Sequence, residues 1–430
     1  MKIRARFILL IFSAICLFLS YACSKRTEDT GWPVSIETVE GIKVVTNPEK
    51  SKFGVFAFEL EEDLAIGDVN DEDYFFPRPV RLNVDDDGNI YVCDGGNRRV
   101  QKYDKNGTYV RTIGRQGQGP GEYIYPSRLF LNEAGNPCVS DARNLLYYDK
   151  DGVFQKRVQL KGFYPLFIPG PHGTYLGTTQ PSGRAEGGAK ASIIHIGENG
   201  EPIHTIAEYP VSYSKSLKAI VLHWYTNRLA LAQRTLDTFY YGFSSEYRIN
   251  VADSDGRTIF IFTKDVKPQP LSGEEKELTK KDGIYAVIGT NQREKAIVFP
   301  DHRPFFSRFM SDDTGRLYVI RHKSILERDE QDFSVDVFSK EGIYLYQMNW
   351  PFIPVLIKNG FLYEVREDED TGDIKVLRHK VINWNKFNEE SILIQRVSLS
   401  RNSIFLKRRS HPFQAFAFQA GHDYRSAAVA

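Results

Sequence analysis

The chain has 430 residues, and its 56 basic and 55 acidic side chains give a formal charge of +1 at pH 7. This balance argues against a strongly basic surface of the kind that nucleic-acid phosphates require, so we predict no nucleic-acid partner. The aromatic content of 13% and the scarcity of helical periodicity favour an all-β chain.

The N-terminus has the order of a bacterial lipoprotein signal. Three basic residues precede an apolar run at residues 7–19, which is short for a membrane span. Residues 20–23 (SYAC) then resemble a lipobox, although Ser20 stands where leucine is usual. We therefore predict a lipoprotein signal peptide at residues 1–22 and lipidation at Cys23.

This signal predicts the location of the protein. Residues 23–33 form a polar tether, and the lipid on Cys23 would anchor the chain to a membrane of the bacterial cell envelope, with the globular part outside the cytoplasm. Two alternatives stay open: an ordinary signal peptide cleaved nearby and an uncleaved anchor helix.

Residues 34–45 (VSIETVEGIKVV) look like a pair of strands outside any complete repeat. An N-terminal strand that completes the last blade of a propeller removes the free edges of the ring. We expect residues 34–45 to close the ring in this way, and residues 50–77 to be an acidic, partly extended lead-in.

A unit of four short strands fills residues 79–125, and the chain then repeats it. Its strands are predicted at residues 81–84, 89–94, 97–103 and 108–113, each bounded by Gly, Asn or Asp. The same frame returns 47 residues later, where Gly135 follows Gly88. Four short strands at a period of this length are typical of propeller blades.

The later repeats are more degenerate but can be counted. Their turns and strands place four further blades at residues 160–209, 215–265, 297–348 and 349–383. Ser272 and Glu275 form the pattern of a capping box, so one helical insertion is predicted near residues 270–282. The sequence thus predicts an all-β, six-bladed propeller with four antiparallel strands per blade at residues 34–384, and an unassigned tail at residues 385–430.

The first repeat resembles a known family. The stretch GNIYVCDGGNRRVQKYDKNGTYVRTIG, followed by GQGPGEY, is similar to the NHL-repeat group, within the six-bladed propellers of bacterial envelope lipoproteins; only residues 77–155 carry the match strongly. The resemblance implies structural roles for Asp94, Asn97 and Arg99, which match the D-x-x-N-x-R pattern. It also implies a scaffold with varied uses, mostly binding and sometimes lyase or hydrolase activity.

Three arginines recur at one position of the repeat, seven residues before the first turn glycine: Arg81, Arg128 and Arg308. Blades three and six place Leu166 and Ile353 there. The position opens the innermost strand, so these arginines are our candidate anion-binding residues at the channel mouth, suited to carboxylate or phosphate groups. The alternative is that each arginine pairs with an acidic residue of a neighbouring blade, such as Asp94 or Asp141.

Other motifs carry weaker signals. The GQGPG loop at residues 117–121 is followed by Glu122-Tyr123 and another strand, not by the Gly-Lys-Ser/Thr ending and helix of a phosphate loop, which favours an inter-blade loop. The acidic residues 85–87 suggest a hairpin turn rather than a calcium site. Nine scattered histidines show no metal-ligand spacing, so we predict no metal ligands and no cofactor, while a zinc site assembled across blades stays open. Cys93 and Cys138 are either two buried thiols or a disulfide.

The function predicted from the sequence is binding without catalysis. A ligand or partner protein would bind at the channel face of the membrane-anchored propeller. Two alternatives remain: a lyase or hydrolase with a metal in the central channel, and a purely structural assembly module.

Overall fold

The computed structural model describes residues 32–77, 80–132, 134–179, 189–212, 214, 220–288, 297–368 and 371–388. Contacts divide the chain into two compact units, Met1–Trp384 and Asn385–Ala430. The predicted signal peptide, the lipidation residue Cys23, nearly all of the tether and most of the C-terminal tail lie outside the described residues.

Six sheets form the blades of a propeller, as the sequence predicted. Blade 1 is an antiparallel meander of Val80–Val84, Ile90–Asp94, Arg99–Tyr103 and Tyr109–Ile113. Blade 2 repeats it with Pro126–Leu131, Pro137–Asp141, Asn144–Tyr148 and Phe154–Gln159. The two-stranded pair Arg115–Gln116 and Glu122–Tyr123 lies in the connection between these blades.

Blades 3, 4 and 5 have the same core of four strands. Blade 3 consists of Phe167–Pro169, Tyr175–Thr178, Lys190–Ile196 and Pro202–Pro210. Blade 4 is built on Leu229–Gln233, Thr238–Phe243, Arg248–Asp253 and Thr258–Lys264. Blade 5 is built from Phe306–Ser311, Leu317–Arg321, Phe333–Phe338 and Tyr344–Trp350.

Blade 6 is completed by a strand from the N-terminal part of the chain. Leu356–Lys358, Phe361–Glu367 and Ile374–Val381 are its first three strands, and Leu60–Ile66 pairs antiparallel with the third. The prediction that residues 34–45 close the ring is therefore wrong.

Residues 34–45 extend blade 4 instead. They form Ser35–Val39 and Ile42–Asn47, and the second of these pairs parallel with Thr258–Lys264 to make a six-stranded sheet. Between the two N-terminal attachments, Lys52 N–H donates to Tyr344 C=O at 3.0 Å on the outer strand of blade 5. The N-terminal chain thus runs over blades 4, 5 and 6 in turn.

The closing strand was hard to recognise because its pattern is interrupted. Residues 61–63 are acidic, and a bulge between Glu62 and Leu64 breaks the alternation that marks a half-buried strand. Ile66 nevertheless is 1% exposed and packs in the core shared by blades 6 and 1, with Leu64 against it. Burial of these two side chains favours closure here.

The hairpin turns have a recurring chemistry that explains why they were predictable. In the first turn of blade 1, Asp85 Oδ1 accepts the backbone N–H groups of Asp87 (3.1 Å) and Asn89 (2.8 Å). Gly88 has φ +87°, a left-handed conformation that is costly for residues with a Cβ. Asn132 and Gly135 repeat this arrangement in blade 2.

A buried polar network joins blades 4 and 5. Asp336 is fully buried and accepts hydrogen bonds from the hydroxyls of Tyr247 and Tyr344, both at 2.6 Å, and from Lys264 Nζ at 2.9 Å. Burial lowers the pKa of Lys264, while the neighbouring Asp336 carboxylate raises it. Because a buried ion pair is costly when one partner is lost, removal of Lys264 alone would destabilise the contact between the two blades.

Every connection between blades leaves and re-enters the ring on the same face. A meander of four antiparallel strands ends on the face where it began, so each innermost strand starts on that face, which we call the entry face. Two of these connections are long: residues 211–228 lead from blade 3 to blade 4, and residues 265–305 lead from blade 4 to blade 5.

Parts of the two long connections and the loop between the second and third strands of blade 5 form a cap on the entry face, composed of residues 220–226, 271–288 and 322–328. Strands Ile220–His223 and Ile284–Ile288 pair with each other, and helix α1 (Gly273–Asp282) precedes the second of them. The predicted capping box is confirmed, with the Ser272 side chain and Glu275 bonding each other's backbone N–H. The third segment includes the short 3₁₀ helix Ile325–Glu327.

Glu275 joins the three cap segments. Its carboxylate is fully buried and accepts hydrogen bonds from Tyr225 Oη and, at 2.7 Å, from Ser324 Oγ, while Arg303 Nε lies 2.8 Å away. Burial by itself would raise the pKa of Glu275, but these donors and the Ser272 N–H lower it to about 2. One ionised carboxylate therefore links all three segments of the cap.

Candidate site at the channel mouth

The register places the three predicted arginines at the same depth. In each blade the arginine lies three residues before the last residue of the first strand that pairs with the second strand. Its partners across the first hairpin are Cys93 for Arg81, Ser140 for Arg128 and Ile320 for Arg308. All three belong to innermost strands, in the half nearer the entry face.

A β-bulge precedes two of these arginines. The register shifts between Pro126 and Arg128 in blade 2 and between Phe306 and Arg308 in blade 5. Bulges redirect side chains locally, and they are common beside functional sites. Blade 1 has no such shift before Arg81, because Val80 pairs directly with Asp94.

The other three blades place uncharged residues at this depth. In blade 3 Leu166 lies there, as predicted, since its C=O accepts the Thr178 N–H at 2.7 Å. In blade 4 the position is Ala230, opposite Gly242. In blade 6 it is Val355.

The prediction of Ile353 for blade 6 is wrong. The strands of this hairpin pair up to Lys358 and Phe361, so its turn has only two residues, Asn359 and Gly360. Counting seven residues back from the glycine therefore overshoots, and Val355 N–H donates to Tyr363 C=O at 2.8 Å instead. Val355 is 38% exposed.

None of the three arginines forms an ion pair with a described residue. Arg81 donates from Nη1 to the Val80 carbonyl at 2.8 Å, and Arg128 donates from Nη2 to the Pro165 carbonyl while lying over a Phe167 ring at 6.0 Å. Arg308 makes no side-chain hydrogen bond within the described part of the chain.

The predicted acidic partners are used elsewhere. Buried Asp94 accepts from Asn97 N–H at 3.1 Å and from Arg99 Nε at 3.1 Å, which agrees with the structural role implied by the NHL pattern. Asp141 accepts the backbone N–H groups of Ile124 and Tyr125. The alternative in which Asp94 or Asp141 neutralises a channel arginine therefore does not describe this molecule.

The arginines act on one another electrostatically. Burial lowers the pKa of Arg128, and the Arg81 guanidinium lowers it further. Burial also lowers the pKa of Arg308, followed by repulsion from Arg81 and Arg228. Yet Arg308 is solvent-exposed and Arg128 only half-buried, a combination that fits side chains reaching water inside a concave site.

Arg228 is a fourth arginine of this site that the sequence did not reveal. It immediately precedes the innermost strand of blade 4, and its guanidinium lies 5.3 Å from the ring centre of Tyr285 in the cap. The first hairpin of blade 4 turns through residues 234–237, which contain no glycine. Even with that marker the repeat position would be Ala230, two residues after Arg228, so alignment of the repeats gives no signal for Arg228.

Exposed aromatic side chains lie in the connections on the same face. Tyr125 is 53% exposed between blades 1 and 2, Phe163 is 57% exposed between blades 2 and 3, and Tyr285 is 55% exposed in the cap. Tyrosine, phenylalanine and arginine are the residue types enriched where proteins bind partners.

The GQGPG loop holds an anion of its own chain. The Glu122 carboxylate accepts the Gly119 N–H at 2.8 Å and the Arg115 Nε–H at 2.9 Å. These hydrogen bonds lower the pKa of Glu122. The loop therefore has an internal carboxylate where a phosphate would have to bind, in agreement with the interpretation as an inter-blade loop.

The acidic turn at residues 85–87 is a hairpin turn. Besides the backbone contacts of Asp85, the Asp86 carboxylate pairs with Lys358 Nζ at 2.8 Å. Within the described ranges, no group of three or more His, Cys, Asp or Glu side chains is placed to hold a metal ion.

Cys93 and Cys138 are both free and buried. Burial raises the pKa of Cys93 to about 12 and that of Cys138 to about 11, so both are protonated thiols at neutral pH. Of the two possibilities left by the sequence, two buried thiols describe the molecule.

Comparison with known proteins supports the fold. A family model described as a 6-bladed beta-propeller matches residues 71–219. The chain is a six-bladed β-propeller. The propeller is also similar to NHL repeat-containing protein 3 of Homo sapiens, with 33% identity over 81 residues, which are 18% of this chain. The chain spans about a quarter (23%) of that relative's length, so the relative's overall activity cannot be transferred.

Two solved structures resemble the chain at low identity. A putative exported protein of Bacteroides fragilis has 12% identity and a TM-score of 0.45, covering 79% of this chain and 99% of that one. Virginiamycin B lyase of Staphylococcus aureus has 13% identity and a TM-score of 0.38, covering 76% and 100%. No helix among the described residues is long and apolar enough to cross a membrane.

Proposed function

We propose that this propeller binds an anionic ligand or an acidic partner at the entry face of its channel, without catalysis. The observation that carries the proposal is that Arg81, Arg128 and Arg308 share one depth, while none of them has an acidic partner among the described residues. Arginine stays protonated at any physiological pH, so the missing counter-charge is best supplied by a ligand.

The energetics favour such a ligand. A guanidinium can donate two parallel hydrogen bonds to a carboxylate or phosphate, and hydrogen bonds to charged groups contribute about 1.5–3 kcal/mol each. An anion would also relieve the repulsion that Arg81 exerts on Arg128 and Arg308. Tyr125 and Phe163 are exposed in connections on the same face and offer apolar contacts to a ligand.

The membrane anchor belongs to the same proposal. The lipoprotein signal at residues 1–22, lipidation at Cys23 and the tether at residues 23–33 would hold the propeller to a membrane of the bacterial cell envelope, outside the cytoplasm. The order of basic residues, apolar run and Ala22-Cys23 supports this part. The metal-dependent lyase or hydrolase stays a prediction from the fold resemblance, with no metal-ligand cluster among the described residues to favour it.

Anion binding is tested by calorimetry with citrate and inorganic phosphate as probes. Replacement of Arg81, Arg128 and Arg308 by Gln should weaken binding of the tighter probe at least tenfold. A matched control removes three positive charges from turns on the opposite face: Lys105, Lys150 and Arg257→Gln. If neither probe binds the wild type, or if both variants lose affinity equally, the proposed function is wrong.

A further inference from the structure

Two histidines face each other across the outer hairpin of blade 3. His195, in the third strand, pairs directly with His204, in the fourth strand, so both side chains lie on the same side of the sheet. Their ring centres are 5.2 Å apart, and the ring planes are nearly perpendicular, at 86°. The turn that joins these two strands, residues 197–201, lies on the face opposite the entry face. The pair is therefore separate from the arginines of the channel mouth.

The His195 ring is buried without a hydrogen bond. The residue is 6% exposed, and neither ring nitrogen has a hydrogen-bond partner among the described residues. Burial lowers the pKa of His195, and the neighbouring His204 lowers it further, so the ring is neutral at neutral pH. A neutral imidazole has one nitrogen with a free lone pair, and this is the form that binds metal ions. Because a buried polar group without a partner costs free energy, a ligand on this ring would stabilise the fold.

His204 is held in the orientation that is common for a metal ligand. Its side chain is exposed, and its Nε2 lies 2.9 Å from the carbonyl oxygen of Asp255, in the outer turn of blade 4. Since a carbonyl oxygen only accepts, Nε2 carries the proton and Nδ1 of the neutral ring carries the lone pair. Metal-binding histidines usually donate their other N–H to a carboxylate, a backbone carbonyl or water, which fixes the tautomer and the ring orientation.

The separation of the two rings suits one shared ion. Zn²⁺ binds imidazole nitrogen at about 2.0–2.1 Å, and two rings bound at a tetrahedral angle have centres roughly 5 Å apart. Imidazole nitrogen favours zinc, copper and nickel, whereas calcium and magnesium prefer oxygen ligands. Within the described ranges no third His, Cys, Asp or Glu side chain joins the pair. Water would complete the coordination, with access from the side of the exposed His204.

We propose that His195 and His204 together bind one divalent transition-metal ion, of the class of Zn²⁺ and Cu²⁺, on the outer hairpin of blade 3. His195 binds the ion from the buried side and His204 binds it through Nδ1 from the solvent side. The site is independent of the proposed anion site, which lies on the other face of the ring. Because only the folded chain brings the two rings together, the bound ion should raise Tm.

The test uses the full-length protein without a histidine tag, stripped of metal with a chelator, and Zn²⁺ as the probe in calorimetry near neutral pH. We expect one Zn²⁺ per chain at this site and an increase in Tm when Zn²⁺ is present. His204→Gln should weaken Zn²⁺ binding by about tenfold or more and abolish the increase in Tm. His172→Gln is the matched control, because His172 is an exposed histidine in the first hairpin turn of the same blade.

A second measurement counts the nitrogen ligands. Electron paramagnetic resonance of the Cu²⁺-loaded wild type should show two imidazole nitrogens on the ion, and His204→Gln should show fewer. His195→Gln should lose Zn²⁺ affinity as well, and a thermal melt without metal checks that this variant, changed at a buried position, is folded.

The outcomes decide the proposal without reference to the anion site. A wild type that binds no Zn²⁺ would overturn it, as would equal Zn²⁺ affinities of His204→Gln and His172→Gln. A Cu²⁺ spectrum of the wild type with fewer than two imidazole nitrogens would also contradict a site shared by His195 and His204.

Discussion

The channel arginines should be dispensable for folding, and a melting experiment tests this sharply. Replacing Arg81, Arg128 and Arg308 by Gln removes three charges that have no acidic partner among the described residues. Single changes at exposed positions usually alter stability by at most about 0.5 kcal/mol, so we expect a total change within roughly 1.5 kcal/mol. Relief of the repulsion centred on Arg81 favours a shift in the stabilising direction.

A buried arginine of the same propeller supplies the matched control. Arg316 Nε lies 2.7 Å from Asp312 Oδ2, with side-chain exposures of 5% and 0%, and the guanidinium lies 4.7 Å from the ring centre of Trp384. Asp312 also accepts from the Tyr318 hydroxyl at 2.9 Å. Arg316→Gln would leave a buried carboxylate without its counter-charge, which costs about 3–5 kcal/mol.

Thermal melts by circular dichroism convert these free energies into temperatures. With about 2.1 cal/mol/K of unfolding entropy per residue over roughly 350 propeller residues, 1 kcal/mol corresponds to roughly 1.4 °C in Tm. The triple variant should therefore melt within about 2 °C of wild type, while Arg316→Gln should melt about 4–7 °C lower. A triple variant that falls as far as Arg316→Gln would mean that the channel arginines are inter-blade struts, and the anion site would have to be abandoned.

Three further predictions concern the closure, the cap and the anchor. Deletion of residues 34–47 should lower Tm but leave a single cooperative melt. Deletion of residues 34–66 also removes the fourth strand of blade 6 and should give aggregation or a broad melt. Equal behaviour of the two deletion variants would contradict ring closure by Leu60–Ile66. Burial lowers the pKa of His223 and of His322 from 6.5 to about 4 in the folded state. The stabilisation that each neutral histidine gives to the folded state is therefore complete above pH 6.5. As the pH falls toward 4, each histidine should lose up to roughly 3 kcal/mol of this stabilisation. Melts between pH 8 and 4 should show this loss in wild type and a flatter profile in the His223→Gln, His322→Gln variant, and parallel profiles would refute it. Cys23→Ala should abolish acyl-lipid labelling and release the protein from membranes, while wild-type protein that never labels would rule out the anchor.

The repeated hairpins could be predicted because their signals are local. The turn at Gly88 requires an Asp or Asn acceptor and a left-handed glycine within five residues, and the same letters return at Gly135. This periodicity was sufficient for the blade count and for the shared position of the three arginines. The helix at Ser272 was predictable for the same reason, since a capping box is confined to four residues.

Features that depend on distant pairing could not be predicted. Whether Leu60–Ile66 or residues 34–45 completes blade 6 depends on which apolar side chains fit the core next to blade 1, and only residues 34–45 had the sequence pattern of strands. Arg228 lies two residues before Ala230, the residue of its blade at the shared position, and the short turn at Gly360 shifted blade 6 by two residues. In each case the tertiary register, rather than the local sequence, decided the outcome.

Crystals soaked in selenate, an anomalously scattering analogue of sulfate, would test the anion site directly. The account predicts an anomalous peak at the channel mouth, within hydrogen-bonding distance of the Arg81 guanidinium and of either Arg128 or Arg308. It also predicts that the peak is missing in crystals of the Arg81, Arg128, Arg308→Gln variant. Selenate peaks at other surface positions, with none beside these arginines in the wild type, would contradict the claim that the entry face of this propeller binds anions.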